Sequence, residues 1–189
     1  MNANAGIKVD KATFSRFIER QTEGHFEYDR GRIVQHMTGG SFNHAQIVND
    51  FNFVLRGLLS RRDWVVTGQN RGVDTGETVR YPDVLVEPVG GAGKEQWTTT
   101  PTLIVEVLSP STAEFDLAVR PAAYMGLATL EAYIVASQDR AECQVWQRLA
   151  DGRFPEAPEM ISGRDSVIRI DHLGLAIPLG DTHQGIAST

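Results

Sequence analysis

The sequence predicts an α/β fold, a mixed central β-sheet flanked by helices with a C-terminal β-hairpin. Three observations predict it. Short apolar, β-branched runs such as Val84-Leu85-Val86 and Leu103-Ile104-Val105, bounded by Pro, Gly and Thr, have the length and composition of buried strands. Ile47, Val48, Phe51, Val54, Leu55, Leu58 and Leu59 keep the spacing of one helix face. Helical and strand patterns also interleave along the chain, which places helices on the faces of a sheet.

The elements follow in order. Asp10 to about Gln21 reads as a helix, with Asp10 as N-cap and Phe14, Phe17 and Ile18 on its apolar side. His25 to Val34 reads as two short strands around a turn at Asp29 to Gly31. Gly39-Gly40-Ser41 breaks the chain, and the amphipathic helix runs from Ser41 to Leu59. Asp63 to Thr67 is a strand, Gln69 to Gly76 a turn-rich crossing, and Val79 to Glu87 one continuous strand. Pro88 to Thr100 is polar and glycine-rich, the composition of a mobile loop. Pro101 to Leu108 is the next strand. A helix from Thr112 to Met125 follows, delayed or kinked by Pro121, which has no backbone donor. Glu131 to Ser137 and Glu142 to Leu149 form a hairpin across Gln138-Asp139-Arg140, and that hairpin offers a sheet edge for pairing. Ser166 to Ile170 adds a strand, and the chain frays after Leu179. The expected organisation is one domain over residues 10–180, with flexible tails at 1–9 and 181–189.

The chain has 189 residues, enough for one domain with a real core. A formal net charge of −6 gives no global attraction to nucleic acid, so phosphate contact would need a local basic cleft or a metal. The single cysteine, Cys143, rules out an intramolecular disulfide and suits a reducing, cytoplasmic setting, with Cys143 as core filler. No apolar run approaches the roughly 20 residues of a membrane span, and Met1 to Gly6 lacks the apolar core of a signal peptide. Gly93-Lys94 does not make a phosphate-binding loop, because Glu95 stands where Ser or Thr is needed.

Two strands carry the chemistry. Each apolar run is interrupted by one carboxylate, Asp83 in the first and Glu106 in the second, 23 residues apart. A carboxylate in a buried strand is costly unless paired. On neighbouring strands the two would face each other and repel by roughly 4 kcal/mol at about 4 Å. A shared divalent cation reverses that sign, and an all-oxygen site suits Mg²⁺ or Mn²⁺. The bland alternative is that Asp83 caps a turn after Pro82 and Glu106 pairs with an arginine. Glu27, between Phe26 and Tyr28, is a third acid in an apolar setting, and His44 lies in the first turn of the long helix.

The ordered series Phe26-Glu27-Tyr28, Gly31-Arg32-Ile33-Val34, His44, Pro82-Asp83-Val84, Val105-Glu106-Val107-Leu108-Ser109-Pro110-Ser111-Thr112, Asp116, Tyr124 and Tyr133-Ile134-Val135 resembles the Uma-two type of restriction endonucleases. These belong to the PD-(D/E)XK nuclease superfamily. The resemblance runs from about Thr13 to Gly174. It implies a restriction-endonuclease-like fold and Mg²⁺- or Mn²⁺-dependent hydrolysis of DNA. It also implies Asp83 and Glu106 as metal ligands and Glu27 as a third acid, directly or through water. His44 and Ser109 become candidates to touch the substrate, and a homodimer is implied by analogy with related folds. The superfamily's lysine, two residues after the second acid, is Leu108 here. In the family it is displaced to the following helix, a position that Arg120 fills. A guanidinium stabilises phosphate but does not readily accept a proton. The alternative function is a nuclease-fold protein impaired in catalysis that acts as a binding or assembly module.

Overall fold

The structure, a computed structural model, describes residues 8–36, 40–108 and 120–186. Helix α1 (Lys11–Ile18) starts at the expected cap, where Asp10 accepts from the Thr13 N–H at 2.7 Å. Strands β1 (His25–Asp29) and β2 (Arg32–His36) pair as a hairpin with Asp29 opposite Arg32. Arg30 and Gly31 between them have φ of 48° and 91°, the left-handed pair that matches a two-residue turn to the twist of its strands. Helix α2 (Phe42–Leu58) is capped by Ser41 and buries Ile47, Phe51 and Leu55.

After β3 (Trp64–Gly68) the chain departs from expectation. The segment read as a crossing contains β4 (Gly72–Asp74). The strand expected over Val79 to Glu87 is two strands, β5 (Thr78–Arg80) and β6 (Val84–Pro88), which belong to different sheets. The break falls at Tyr81-Pro82-Asp83, because Pro82 has no N–H to give a ladder. Asp83 therefore stands at the mouth of β6 rather than inside a strand. The loop expected over Pro88 to Thr100 carries β7 (Trp97–Thr98), paired in parallel with β4. Strand β8 (Leu103–Val107) follows as expected. Of the helix expected over 112–125, the described part is α3 (Arg120–Met125). Strands β9 (Ala132–Ala136) and β10 (Glu142–Gln147) form the predicted hairpin. β11 (Glu159–Ser162), β12 (Val167–Ile170) and β13 (Leu175–Pro178) complete the chain, the last two as a C-terminal hairpin.

The larger sheet has the order β11-β10-β9-β8-β6-β3, mixed because β8 and β9 run parallel while its other pairs are antiparallel. On one face α2 packs Ile47, Phe51 and Leu55 against Val84, Val105 and Ile134, together with Ile168 and Ile177 of the C-terminal hairpin. On the other face Leu85, Ile104 and Tyr133 meet Tyr124 of α3 and Val73 of the smaller sheet. That smaller sheet, β2-β1-β5-β4-β7, buries Phe14 of α1 against Tyr28 and Val79. Cys143 is core filler as expected, and burial pushes its thiol far up.

Two expectations change. The 131–149 hairpin is not a free sheet edge, because β11 covers β10; the larger sheet ends at β11 and β3. The chain past Leu179 is packed where it is described, to residue 186. Thr182 and His183 are fully buried there, with His183 held against the Leu179 and Ser137 carbonyls.

Candidate active site

The register of the larger sheet assembles the site. Val84 of β6 faces Val105 of β8, so one step further Asp83 lies across from Glu106. Gly68 of β3 faces Val84, so on the other side Gln69 lies across from Asp83. Three adjacent strand ends thus converge on one carboxylate.

Asp83 is 8 % exposed and Glu106 2 %. The Val107 N–H donates to Asp83 Oδ2 at 2.8 Å, and the Asp83 N–H donates to Glu106 Oε2 at 3.4 Å. Each acid is therefore fastened to the backbone beside the other. Gln69 Nε2 donates to Asp83 Oδ1 at 2.7 Å, and His44 Nε2 stands 3.3 Å from Asp83 Oδ2. Tyr124 OH donates to Glu106 Oε1 at 3.3 Å. Burial is the largest single influence on Asp83 and would raise its pKa. The hydrogen bond and charge of His44, with the Val107 and Gln69 donors, outweigh it and hold the carboxyl below its usual range. The bland alternative, a carboxylate capping a local turn, does not describe an anion whose partners come from β8, α2 and the residue that follows β3.

His44 reaches Asp83 through two local features. Ser41 Oγ accepts from the His44 N–H at 3.1 Å, which fixes the first turn of α2. Gly40 lies against the ring: a Cβ there would sit 2.8 Å from His44 Nδ1. The imidazole occupies space that a larger residue 40 would take.

Glu27 is engaged by Arg80. Its Oε2 accepts from Arg80 at 2.9 Å and its Oε1 from the Tyr81 N–H at 3.4 Å, so it is a buried partner of Arg80 in the smaller sheet. It anchors the segment that leads into Asp83. Among the described residues no group of three or more His, Cys, Asp or Glu is arranged to hold a metal ion. The structure thus unites Asp83 and Glu106 and adds His44, while the expected third acid is bonded to an arginine. Ser109 lies outside the described residues, and of Arg120 only the backbone is described, at the start of α3. Leu108, at the superfamily's lysine position, packs beside the apolar cluster around Tyr124 and Tyr133.

Gln69 and Tyr124 touch the acids although sequence reasoning assigns neither a role. Tyr124 stood in the family series, but its bond to Glu106 depends on how α3 docks. Gln69 is visible only once the β3–β6 register is known. A cavity of about 610 Å³, bordered by Arg71, Glu87, Lys94 and Trp97, opens at the other end of β6. Its Arg71 is engaged by Glu87 and Glu95, and neither Asp83 nor Glu106 borders it.

Residues 12–175 match the Uma2 family, described as "Putative restriction endonuclease". The chain belongs to the Uma2 family. Two relatives in Synechocystis sp. PCC 6803 are described as uncharacterized. The first, slr1290, is 28% identical over 183 residues, covering 95% of this chain and 94% of the relative. The second, sll1609, is 28% identical over 149 residues, covering 75% and 84%. In three dimensions this Uma2 chain resembles a crystal structure from Anabaena variabilis described as "a putative nuclease belonging to DUF820". The TM-score is 0.70 at 17% identity, over 89% of this chain and 96% of that one. The fold is that of the nuclease neighbour. Among the described residues no helix is long and apolar enough to cross a membrane.

Proposed function

We propose that this Uma2 chain is a divalent-metal-dependent endonuclease that hydrolyses DNA phosphodiester bonds. One observation carries the reading: two buried carboxylates, Asp83 and Glu106, meet across adjacent strand ends in a chain whose family is described as "Putative restriction endonuclease". The donor set fits a hard cation. It offers oxygen ligands from two acids, and Mg²⁺ is commonly held by one or two carboxylates with water and phosphate completing its shell. Asp83 and Glu106 would hold Mg²⁺ or Mn²⁺, which when bound supplies Lewis-acid polarisation of the phosphate and a water of lowered pKa.

The chain's own residues prepare the site. Val107, Gln69 and His44 keep Asp83 ionised, and Tyr124 and the Asp83 N–H orient Glu106. Burial removes bulk water, so charges there act through a lower effective dielectric. Arg120 would offset charge on the phosphate but not take a proton.

The test is Mn²⁺ calorimetry on the wild type and Asp83→Ala, followed by cleavage of duplex DNA by the wild type and Glu106→Gln. Binding lost in the first variant and cleavage lost in the second support the reading; activity intact in both sinks it. A second reading, a nuclease-fold binding or assembly module without cleavage, draws on the apolar setting of Leu108. Arg120→Lys separates the two: cleavage created or sharply raised indicates a site detuned at that position. An inert wild type unchanged by the substitution favours the module. Homodimer formation, DNA as partner and a cytoplasmic location remain part of the proposal.

A further inference from the structure

Gln138 sits on the β9–β10 turn, 95 and 97 residues from the helix start it touches, and is only 5 % exposed. A primary amide on a hairpin turn normally faces water, and burying one is costly without partners. Here the side-chain oxygen and the backbone carbonyl of Gln138 each find a partner at the start of α2. Ser41 Oγ donates to Gln138 Oε1 at 2.6 Å, and Asn43 Nδ2 donates to the Gln138 carbonyl at 3.1 Å. The Ser41 hydroxyl has one proton and already accepts from the His44 N–H, so what it needs from Gln138 is an oxygen. The turn is itself held from behind, since His183 Nε2 lies 3.0 Å from the Ser137 carbonyl.

The location matters. β9 runs parallel to β8 with Val107 opposite Ala136, and the Leu108 N–H donates to the Ala136 carbonyl at 2.8 Å. The turn after β9 therefore emerges at the end of the sheet where Glu106 and Asp83 meet. From there it grips the helix turn that carries His44. We propose that Gln138 is a positioning residue of the site: by clamping Ser41 and Asn43 it fixes the first turn of α2 so that His44 is delivered to Asp83. The inference rests on the proposed nuclease reading for its consequence in rate, but the placement of His44 can be measured without it.

The experiment uses the full chain and three variants. Gln138→Ala removes the acceptor for Ser41, and Asn43→Ala removes the second tie should the first variant fold poorly. Gln138→Glu keeps an acceptor oxygen at the same reach. Cleavage of a duplex with Mn²⁺ is followed as kcat and KM, and crystal structures give the His44–Asp83 separation. The expected result is a kcat lower by about tenfold or more in both alanine variants, with KM within about twofold. His44 moves beyond hydrogen-bonding distance of Asp83, and Gln138→Glu recovers most of the lost rate. A kcat within about twofold of wild type, or His44 still seated on Asp83 in the alanine variants, overturns the proposal. Should the wild type itself not cleave, the nuclease reading fails, and the crystallographic separation alone decides the positioning role.

Discussion

Asp83 and Glu106 are bound to each other's strands: the Asp83 N–H points at Glu106 Oε2, and the N–H following Glu106 points at Asp83 Oδ2. This reciprocity fixes the two carboxyl groups side by side. It follows from a single register, Val84 opposite Val105, so the spacing of the acids is set by the sheet rather than by a loop.

Asp83→Asn should lose Mn²⁺ binding and also lose stability. The native carboxylate faces the Val107 N–H, the Gln69 amide and His44. An asparagine offers one oxygen and turns its NH₂ toward a donor, leaving a buried group unsatisfied at about 1–3 kcal/mol. Calorimetry and urea unfolding check both halves. Unchanged metal affinity would remove Asp83 from the site.

Much of this was legible in the sequence. Helix α2 announced itself through Ile47, Phe51 and Leu55, and the paired acids followed from two apolar runs each holding one carboxylate. The break at Pro82 was also readable in principle, because a residue without an N–H cannot continue a ladder, yet the apolar pattern on both sides disguised two strands as one. What the sequence could not provide were partners set by docking and register. Arg80 answers Glu27 only because β5 pairs with β1, and Gln69 meets Asp83 only because β3 pairs with β6. Gln138 is further still from the α2 start that it holds.

Glu27→Ala should be far more damaging to the fold than to metal affinity. It would take from Arg80, which is 3 % exposed, the carboxylate it donates to at 2.9 Å, and a hydrogen bond between charged groups is worth about 1.5–3 kcal/mol. Glu27→Gln keeps an acceptor and should fold. The measurement is Mn²⁺ affinity of the glutamine variant: a shift under about tenfold (1.4 kcal/mol) marks Glu27 as an anchor for the segment leading to Asp83. Complete loss would return it to the metal shell.

His183 should make stability fall on the acid side of neutrality. Burial lowers its pKa below the usual 6.5, although the Ser137 and Leu179 carbonyls oppose that shift. The unfolded chain therefore binds more protons as pH falls through about 6.5. The stability tied to neutral His183 is full above that pH and is lost below it, down to the depressed folded value. His183→Gln cannot titrate, so urea midpoints of the variant should change less between about pH 7 and 5 than those of the wild type. Parallel pH profiles would contradict this.

Gly40→Ala tests the approach of His44 to Asp83 from the other side. The new Cβ would fall 2.8 Å from His44 Nδ1, closer than real contacts allow. What it meets is the near side of the His44 side chain, with Cγ at 3.1 Å and Cβ at 3.3 Å also close, so the ring must turn and the helix start must give, although Gly40 itself is exposed. The expected cost in stability is about 1 kcal/mol, that of a typical destabilising substitution. That adjustment moves the imidazole, and with it a principal influence holding the Asp83 carboxyl low. The variant should therefore unfold at a somewhat lower urea concentration than the wild type, while its Mn²⁺-dependent cleavage drops much further, by up to about a hundredfold if the ring moves by an ångström. Wild-type cleavage in this variant would mean that His44 can leave Asp83 without consequence, and its place in the site would be lost.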